Sequence, residues 1–163
     1  MRAVFITAPW CSGAARRISA WRSGVQAAGF AVVSVLCAQG LDYLHTHKVV
    51  HGDLKPANLL LDNNSGKVKI ADFGSSIMAG SDKMFSMRNC PGFSTPAFRS
   101  PESLTSGYQP SFEMDMWALG VCIYIWVFGC LPFTGGAAFI IYEKIRAQDI
   151  SMPSAPDVSC TAG

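Results

Sequence analysis

Asp53, Lys55 and Asn58 lie within one short stretch, and Asp72 follows after two brief apolar runs. Those runs are Leu59-Leu60-Leu61 and Val68-Lys69-Ile70. Between them stands Asp62-Asn63-Asn64-Ser65-Gly66, rich in residues that tolerate turn geometry. The pattern predicts a β-hairpin. Antiparallel strands bring the residue before the first strand close to the residue after the second, so Asn58 and Asp72 should converge at its open end. Two such oxygen donors suit Mg²⁺, which takes one or two protein oxygens together with phosphate and water. Asp53 is then a candidate proton acceptor, and Lys55 beside it can meet negative charge. Carboxylate, cation and metal ligands are the parts that phosphoryl transfer needs, where positioning and charge neutralisation do most of the catalysis.

Other elements must hold these groups in place. Val33, Leu36, Cys37, Gly40, Leu41 and Leu44 recur at three- and four-residue intervals, which predicts an amphipathic helix over 33–44. Val49 and Val50 precede a polar loop that begins at His51. Residues 74–101 lack apolar periodicity, and a loop of that length inside a compact domain is usually functional. A second helix should start at Pro110-Ser111, with Ser111 as N-cap and Glu113 and Asp115 in its first turns, and run to about Phe128. A third is expected over 137–147, with a frayed Pro/Ser/Ala tail after Met152.

Composition narrows the classes. The 163 residues fit one domain; 50% are hydrophobic and 15% charged, which opposes disorder. A net charge of +2 is too small to point to a nucleic-acid partner. Six cysteines stand alone, without a C-x-x-C pair or a histidine at zinc-ligand spacing, which suits a reducing compartment and a cytoplasmic location. His45 and His47 read as polar residues at a helix end, with a metal site as the sharper alternative. The first 41 residues hold four arginines and no acid, a bias that an organelle transit peptide shares. The uncharged stretch from Met116 to Tyr142 has the length of a membrane span, but Gly129 to Pro132 interrupts it after about a dozen residues. A buried helix is expected there, and no membrane contact.

At this point four motifs come together in one order. His51-Gly52-Asp53-Leu54-Lys55-Pro56-Ala57-Asn58 resembles the protein-kinase catalytic loop H-R-D-x-x-x-x-N, and Asp72-Phe73-Gly74 matches D-F-G. Ser100-Pro101-Glu102 stands where A-P-E belongs. Asp115-Met116-Trp117-Ala118-Leu119-Gly120 resembles the D-x-W-x-x-G of the long C-lobe helix. The resemblance covers about residues 33–153. It implies a protein-kinase-like (α+β) fold: a mainly α-helical C-lobe with a short β-hairpin, the N-lobe largely absent. The implied organisation is a leader over 1–29, a partial kinase domain over 30–153 and a flexible tail over 154–163. Lys55 within D-L-K-P is the serine/threonine-class choice. The spelling of these motifs is most similar to calcium/calmodulin-dependent protein kinase kinases and their plant relatives.

The resemblance also implies roles. Asp53 would orient a substrate hydroxyl and accept its proton, and Asn58 and Asp72 would hold Mg²⁺ against ATP. Thr95 would touch Asp53 and Lys55 beneath the substrate, and Leu60 would meet the adenine. His51 and Phe73 would stack in the hydrophobic column, followed by Gly74. Asp115 would hold the catalytic loop by accepting backbone N–H bonds. The substrate would be a protein, another kinase being one candidate; nothing in the sequence decides calmodulin dependence.

Several departures qualify the expected activity. No G-x-G-x-x-G loop, V-A-I-K strand or partner glutamate occurs upstream of residue 33, so the polypeptide alone should be weakly active or inactive. Gly52 replaces the motif's arginine, removing one usual receiver of a phosphorylated loop residue. Phe93-Ser94 reads as an insertion next to Thr95. Glu102 lacks its customary arginine partner, and burying it unpaired would be costly. Two rivals stand beside the enzyme: a non-catalytic kinase-like binding module, and an incomplete fragment of a longer gene.

Overall fold

The computed structural model describes residues 4–7, 16–17, 27–62, 67–80, 95–150 and 152–153. Its centre is helix α1, Ala27–Thr46, which begins six residues before the apolar repeat expected from the sequence. Val33, Leu36, Cys37, Leu41 and Leu44 form its buried stripe. The stripe packs against the hairpin on one side and the long second helix on the other, in one core with Leu59, Leu61, Val68, Ile70, Ala118, Leu119 and Cys122.

The hairpin forms as expected. Strands β4 (Leu59–Asp62) and β5 (Lys67–Ile70) run antiparallel, with Leu59 opposite Ile70 and Leu61 opposite Val68. Those four side chains are buried, and the residues between them are partly exposed, the period-two alternation of a sheet with one face on the core. The intervening turn residues 63–66 lie outside the described residues. The hairpin is not alone, however. Strand β1 (Val4–Thr7) pairs antiparallel with β5, and β2 (Arg16–Arg17) pairs with β4, giving a four-stranded sheet in the order β1-β5-β4-β2. An isolated hairpin leaves a row of unpaired backbone groups on each edge, and the β-branched and aromatic run Val4-Phe5-Ile6-Thr7 is suited to cover one.

A second, two-stranded sheet joins β3 (Val49–Val50) to β6 (Ile77–Met78). It ties the residue entering the polar loop, His51, to the segment that follows Asp72-Phe73-Gly74.

Helix α2 runs from Phe112 to Phe128. Seventeen residues span about 26 Å at 1.5 Å per residue, short of a bilayer core. Gly129 ends the helix with φ 72°, its N–H bonded to Ile125 O at 2.8 Å, a left-handed cap that glycine adopts without steric cost. Among the described residues no helix is long and apolar enough to cross a membrane. Ser111 occupies the N-cap position, but its hydroxyl meets the Tyr108 hydroxyl at 3.2 Å rather than the helix backbone. Helix α3, Ala138–Ala147, closes the described fold. Helices are thus dominant in the described fold, and the motifs at 51–58 and 72–74 are carried on its hairpin and loops. The expected leader falls partly, and the tail wholly, outside the described residues.

Candidate active site

The catalytic loop is suspended from one buried carboxylate. Asp115, in the first turn of α2 and 1% exposed, accepts the backbone N–H of His51 at 2.8 Å on Oδ2 and that of Gly52 at 3.0 Å on Oδ1. The ring of His45, at the end of α1, donates Nε2–H to the same Oδ2 at 2.9 Å. A buried carboxylate is tolerated when donors surround it, and here three do. His47, the other member of the H-T-H pair, turns away: its Nδ1 bonds Tyr43 O at 2.7 Å, satisfying a carbonyl of the last turn of α1. The two histidines therefore cap and tether rather than share a ligand.

His51 is fully buried. Its Nε2–H donates to Ala71 O at 3.0 Å and its Nδ1 accepts from the Asp53 N–H at 3.3 Å, which assigns the Nε2–H tautomer. The Ser76 hydroxyl donates to His51 O at 3.2 Å. Phe73 meets the His51 ring edge-to-face, centroids 5.2 Å apart. Loop and D-F-G segment are thereby fixed to each other.

Asp53 projects from this frame into a compact triangle. The ammonium of Lys55 pairs with Asp53 Oδ2 and also donates to Thr95 Oγ1 at 3.2 Å. Thr95 donates to Asp53 Oδ1 twice, from its N–H at 3.1 Å and its hydroxyl at 3.2 Å. Three residues separated by up to 42 positions meet here.

Asn58 ends the 3₁₀ turn Pro56–Asn58, where Pro56 sits at the first position and needs no N–H partner. Its Nδ2 donates to Asp53 O at 2.8 Å, which leaves the amide oxygen as the end a cation can take. Its own carbonyl accepts the Ala71 N–H at 2.8 Å, so the hairpin register sets Asn58 across from the residue before Asp72. Asp72 is exposed and left-handed, φ 63°, with Oδ1 accepting the Gly74 N–H at 3.4 Å. A non-glycine residue held in that region is a feature of sites where strain serves position. Gly74 leaves room at the turn; a Cβ there would stand 3.3 Å from Asp72 Oδ1. One amide oxygen and one carboxylate at the open end of a hairpin fit the donor set of Mg²⁺ with phosphate.

The remaining residues fall as follows. Leu60 is half-buried on β4, with the Arg17 backbone opposite it. Glu102 is exposed at the start of the 3₁₀ turn Glu102–Leu104. The burial cost expected for it does not arise, because water solvates its carboxylate. The Phe93-Ser94 insertion lies outside the described residues. Neither a helix-end nor a metal-site reading of His45 foretells this contact: its bond to Asp115 joins positions 70 apart, and no local sequence signal could show it.

Residues 15–161 match the protein kinase domain family. The chain is 43% identical over 124 residues to a calcium/calmodulin-dependent protein kinase kinase of Caenorhabditis elegans, covering 74% of this chain and 22% of that protein. It is 40% identical over 126 residues to the serine/threonine-protein kinase ssp1 of Schizosaccharomyces pombe, covering 73% and 19%. A plant protein, the serine/threonine-protein kinase GRIK1 of Arabidopsis thaliana, is 40% identical over 115 residues, covering 70% and 28%. The chain thus spans 19% to 28% of the length of these relatives. Motifs in order, a loop hung from Asp115 and relatives of this kind lead to one conclusion: the chain belongs to the eukaryotic serine/threonine protein kinase family.

Proposed function

We propose that these residues perform the lower-lobe chemistry of γ-phosphate transfer from ATP to a serine or threonine hydroxyl of a protein. The observation that carries the reading is the triangle of Asp53, Lys55 and Thr95, with Asn58 tied to the Asp53 backbone. In the reaction the acceptor oxygen forms a bond to the γ-phosphorus while the bond to the ADP oxygen breaks. Asp53 orients that hydroxyl and receives its proton. Lys55 lies where it can meet the charge on the transferring group, and Thr95 fixes the Asp53 carboxylate from the substrate side. Asn58 and Asp72 would hold Mg²⁺, which neutralises phosphate charge when bound. Leu60 would contact the adenine.

Residues 30–153 would form the catalytic unit. The 163 residues contain no Gly-rich phosphate loop and no V-A-I-K lysine, so ATP gains few contacts to its triphosphate and turnover by this polypeptide alone is weak or absent. A protein substrate follows from the family. That it is another kinase and that the protein works in the cytoplasm are further proposals, resting on motif spelling and isolated thiols.

The test is phosphotransfer to a serine/threonine peptide by the purified chain with Mg²⁺-ATP, beside an Asp53→Asn control. Trace turnover that disappears in the control supports both parts. Turnover unaffected by Asp53→Asn contradicts the assignment. A rate in the range of whole kinases, roughly 1–100 s⁻¹, contradicts the expected weakness.

A further inference from the structure

Arg99 stands between two 3₁₀ turns, Pro96–Phe98 and Glu102–Leu104, and its guanidinium reaches from the first to the second. Nε donates to Ser103 Oγ at 3.3 Å and Nη2 donates to Ser103 O at 2.7 Å. The Ser103 hydroxyl passes the chain on to Ser100 O at 2.6 Å, and both serines are buried. The guanidinium carbon also lies 5.5 Å from the centre of the Tyr142 ring, on α3. A second tie runs the other way: Arg146 of α3 donates Nη2–H to Leu104 O at 3.0 Å. Meanwhile Glu102, inside the same segment, faces solvent.

We infer that Arg99 is the positioning residue that fixes the segment Thr95–Leu104 against α3. The segment begins with Thr95, whose N–H and hydroxyl touch Asp53. Arg99 reaches no reacting atom. It acts through Thr95, by setting how the floor beneath the acceptor peptide sits relative to the carboxylate. That meaning rests on the kinase reading; the clamp itself does not. Arginine is chemically specific here. Its planar fork donates two bonds to one residue while its face lies over an aromatic ring, and a lysine ammonium cannot do both. Tyr142 contributes its ring, so its hydroxyl is dispensable to the clamp.

Hydrogen exchange on the intact 163-residue chain tests this without ATP or turnover, so its outcome is separate from that of the phosphotransfer assay. Arg99→Lys and Tyr142→Ala should each speed exchange of the amides of 98–105 and of α3 by about tenfold, leaving β4, β5 and α1 unchanged. Tyr142→Phe should restore the wild-type pattern, and combining Arg99→Lys with Tyr142→Ala should add little to either alone. Wild-type exchange in Arg99→Lys would overturn the inference. So would a uniform rise across all elements, equal loosening in Tyr142→Phe and Tyr142→Ala, or a wild-type chain with no protection over 98–105.

Discussion

The Asp115 carboxylate holds the Gly52 N–H at 3.0 Å while Gly52 adopts φ 83°, a left-handed conformation in the middle of the catalytic loop. The two facts belong together. A loop turned this way presents the adjacent N–H groups of His51 and Gly52 to one acceptor, and glycine enters the conformation at no steric cost. Asp115→Ala would leave both N–H groups and the His45 ring without that partner. The expected loss is roughly 3–5 kcal/mol, as for removing one side of a buried charged cluster. Denaturant unfolding measures it, and a loss under about 1 kcal/mol would mean that water replaces the carboxylate easily.

Gly52 stands where the kinase motif has arginine, so restoring the motif is an informative substitution. A side chain in the left-handed region costs roughly 1–2 kcal/mol, less for Asn. Gly52→Arg and Gly52→Ala should therefore lower the unfolding midpoint without changing the slope, and Gly52→Asn should lower it least. Equal stability in all three would show that the loop relaxes out of its left-handed turn.

Thr95→Val separates position from chemistry. It removes the hydroxyl bonds to Asp53 and Lys55, 3.2 Å each, and keeps the backbone N–H bond to Asp53 at 3.1 Å. Phosphotransfer should fall in part. Asp53→Asn should remove about 10²–10⁴ of the rate, the span of a positioned general base, with a modest change in thermal midpoint because the side chain is only 14% exposed but its amide oxygen can still accept the Thr95 N–H. Steady-state rates beside melts give both numbers. A Thr95→Val variant as inactive as Asp53→Asn would give the hydroxyl a larger part than this account does.

Burial pushes the Cys37 thiol up to about 12, and pushes Cys122 upward as well, with Cys37 beside it adding to the effect. The unfolded thiols ionise from the ordinary thiol range upward while the folded ones keep their protons. Their contribution is therefore intact below that range and is lost as pH rises toward 12, by about 1.4 kcal/mol per unit for each thiol. Urea midpoints measured from pH 8 to pH 11 should fall, and fall less in Cys37→Ala relative to that variant's own value at pH 8. In the same folded chain a thiol-alkylating reagent should label exposed Cys130 and spare Cys37 and Cys122. Labelling of Cys37 at neutral pH would contradict its burial.

Much of this site could be read from the letters because the hairpin is local. Leu59-Leu60-Leu61 and Val68-Lys69-Ile70 alternate between core and surface, and their antiparallel register sets Asn58 across from the residue before Asp72. Helix α2 was legible from Ser111 and Gly129 at its two ends. Asp115, picked out by its motif, accepts the backbone N–H groups of His51 and Gly52. Three features were not legible. The bond between His45 and Asp115 depends on how α1 crosses α2, which no nearby residue encodes. The clamp of Arg99 on Tyr142 depends on where α3 docks. The pairing of β1 and β2 with the hairpin edges depends on backbone groups that every residue carries, so side-chain types only weakly foretell it.

The central claim is that Asp53, Asn58 and Asp72 surround one metal-bound nucleotide, and paramagnetic line broadening by Mn²⁺-ATP tests it most directly, since it detects weak binding. Broadening should centre on the amides of Asp53, Asn58 and Asp72, and disappear in Asp72→Asn while the fold is retained. Broadening centred elsewhere, or undiminished in Asp72→Asn, would contradict the account.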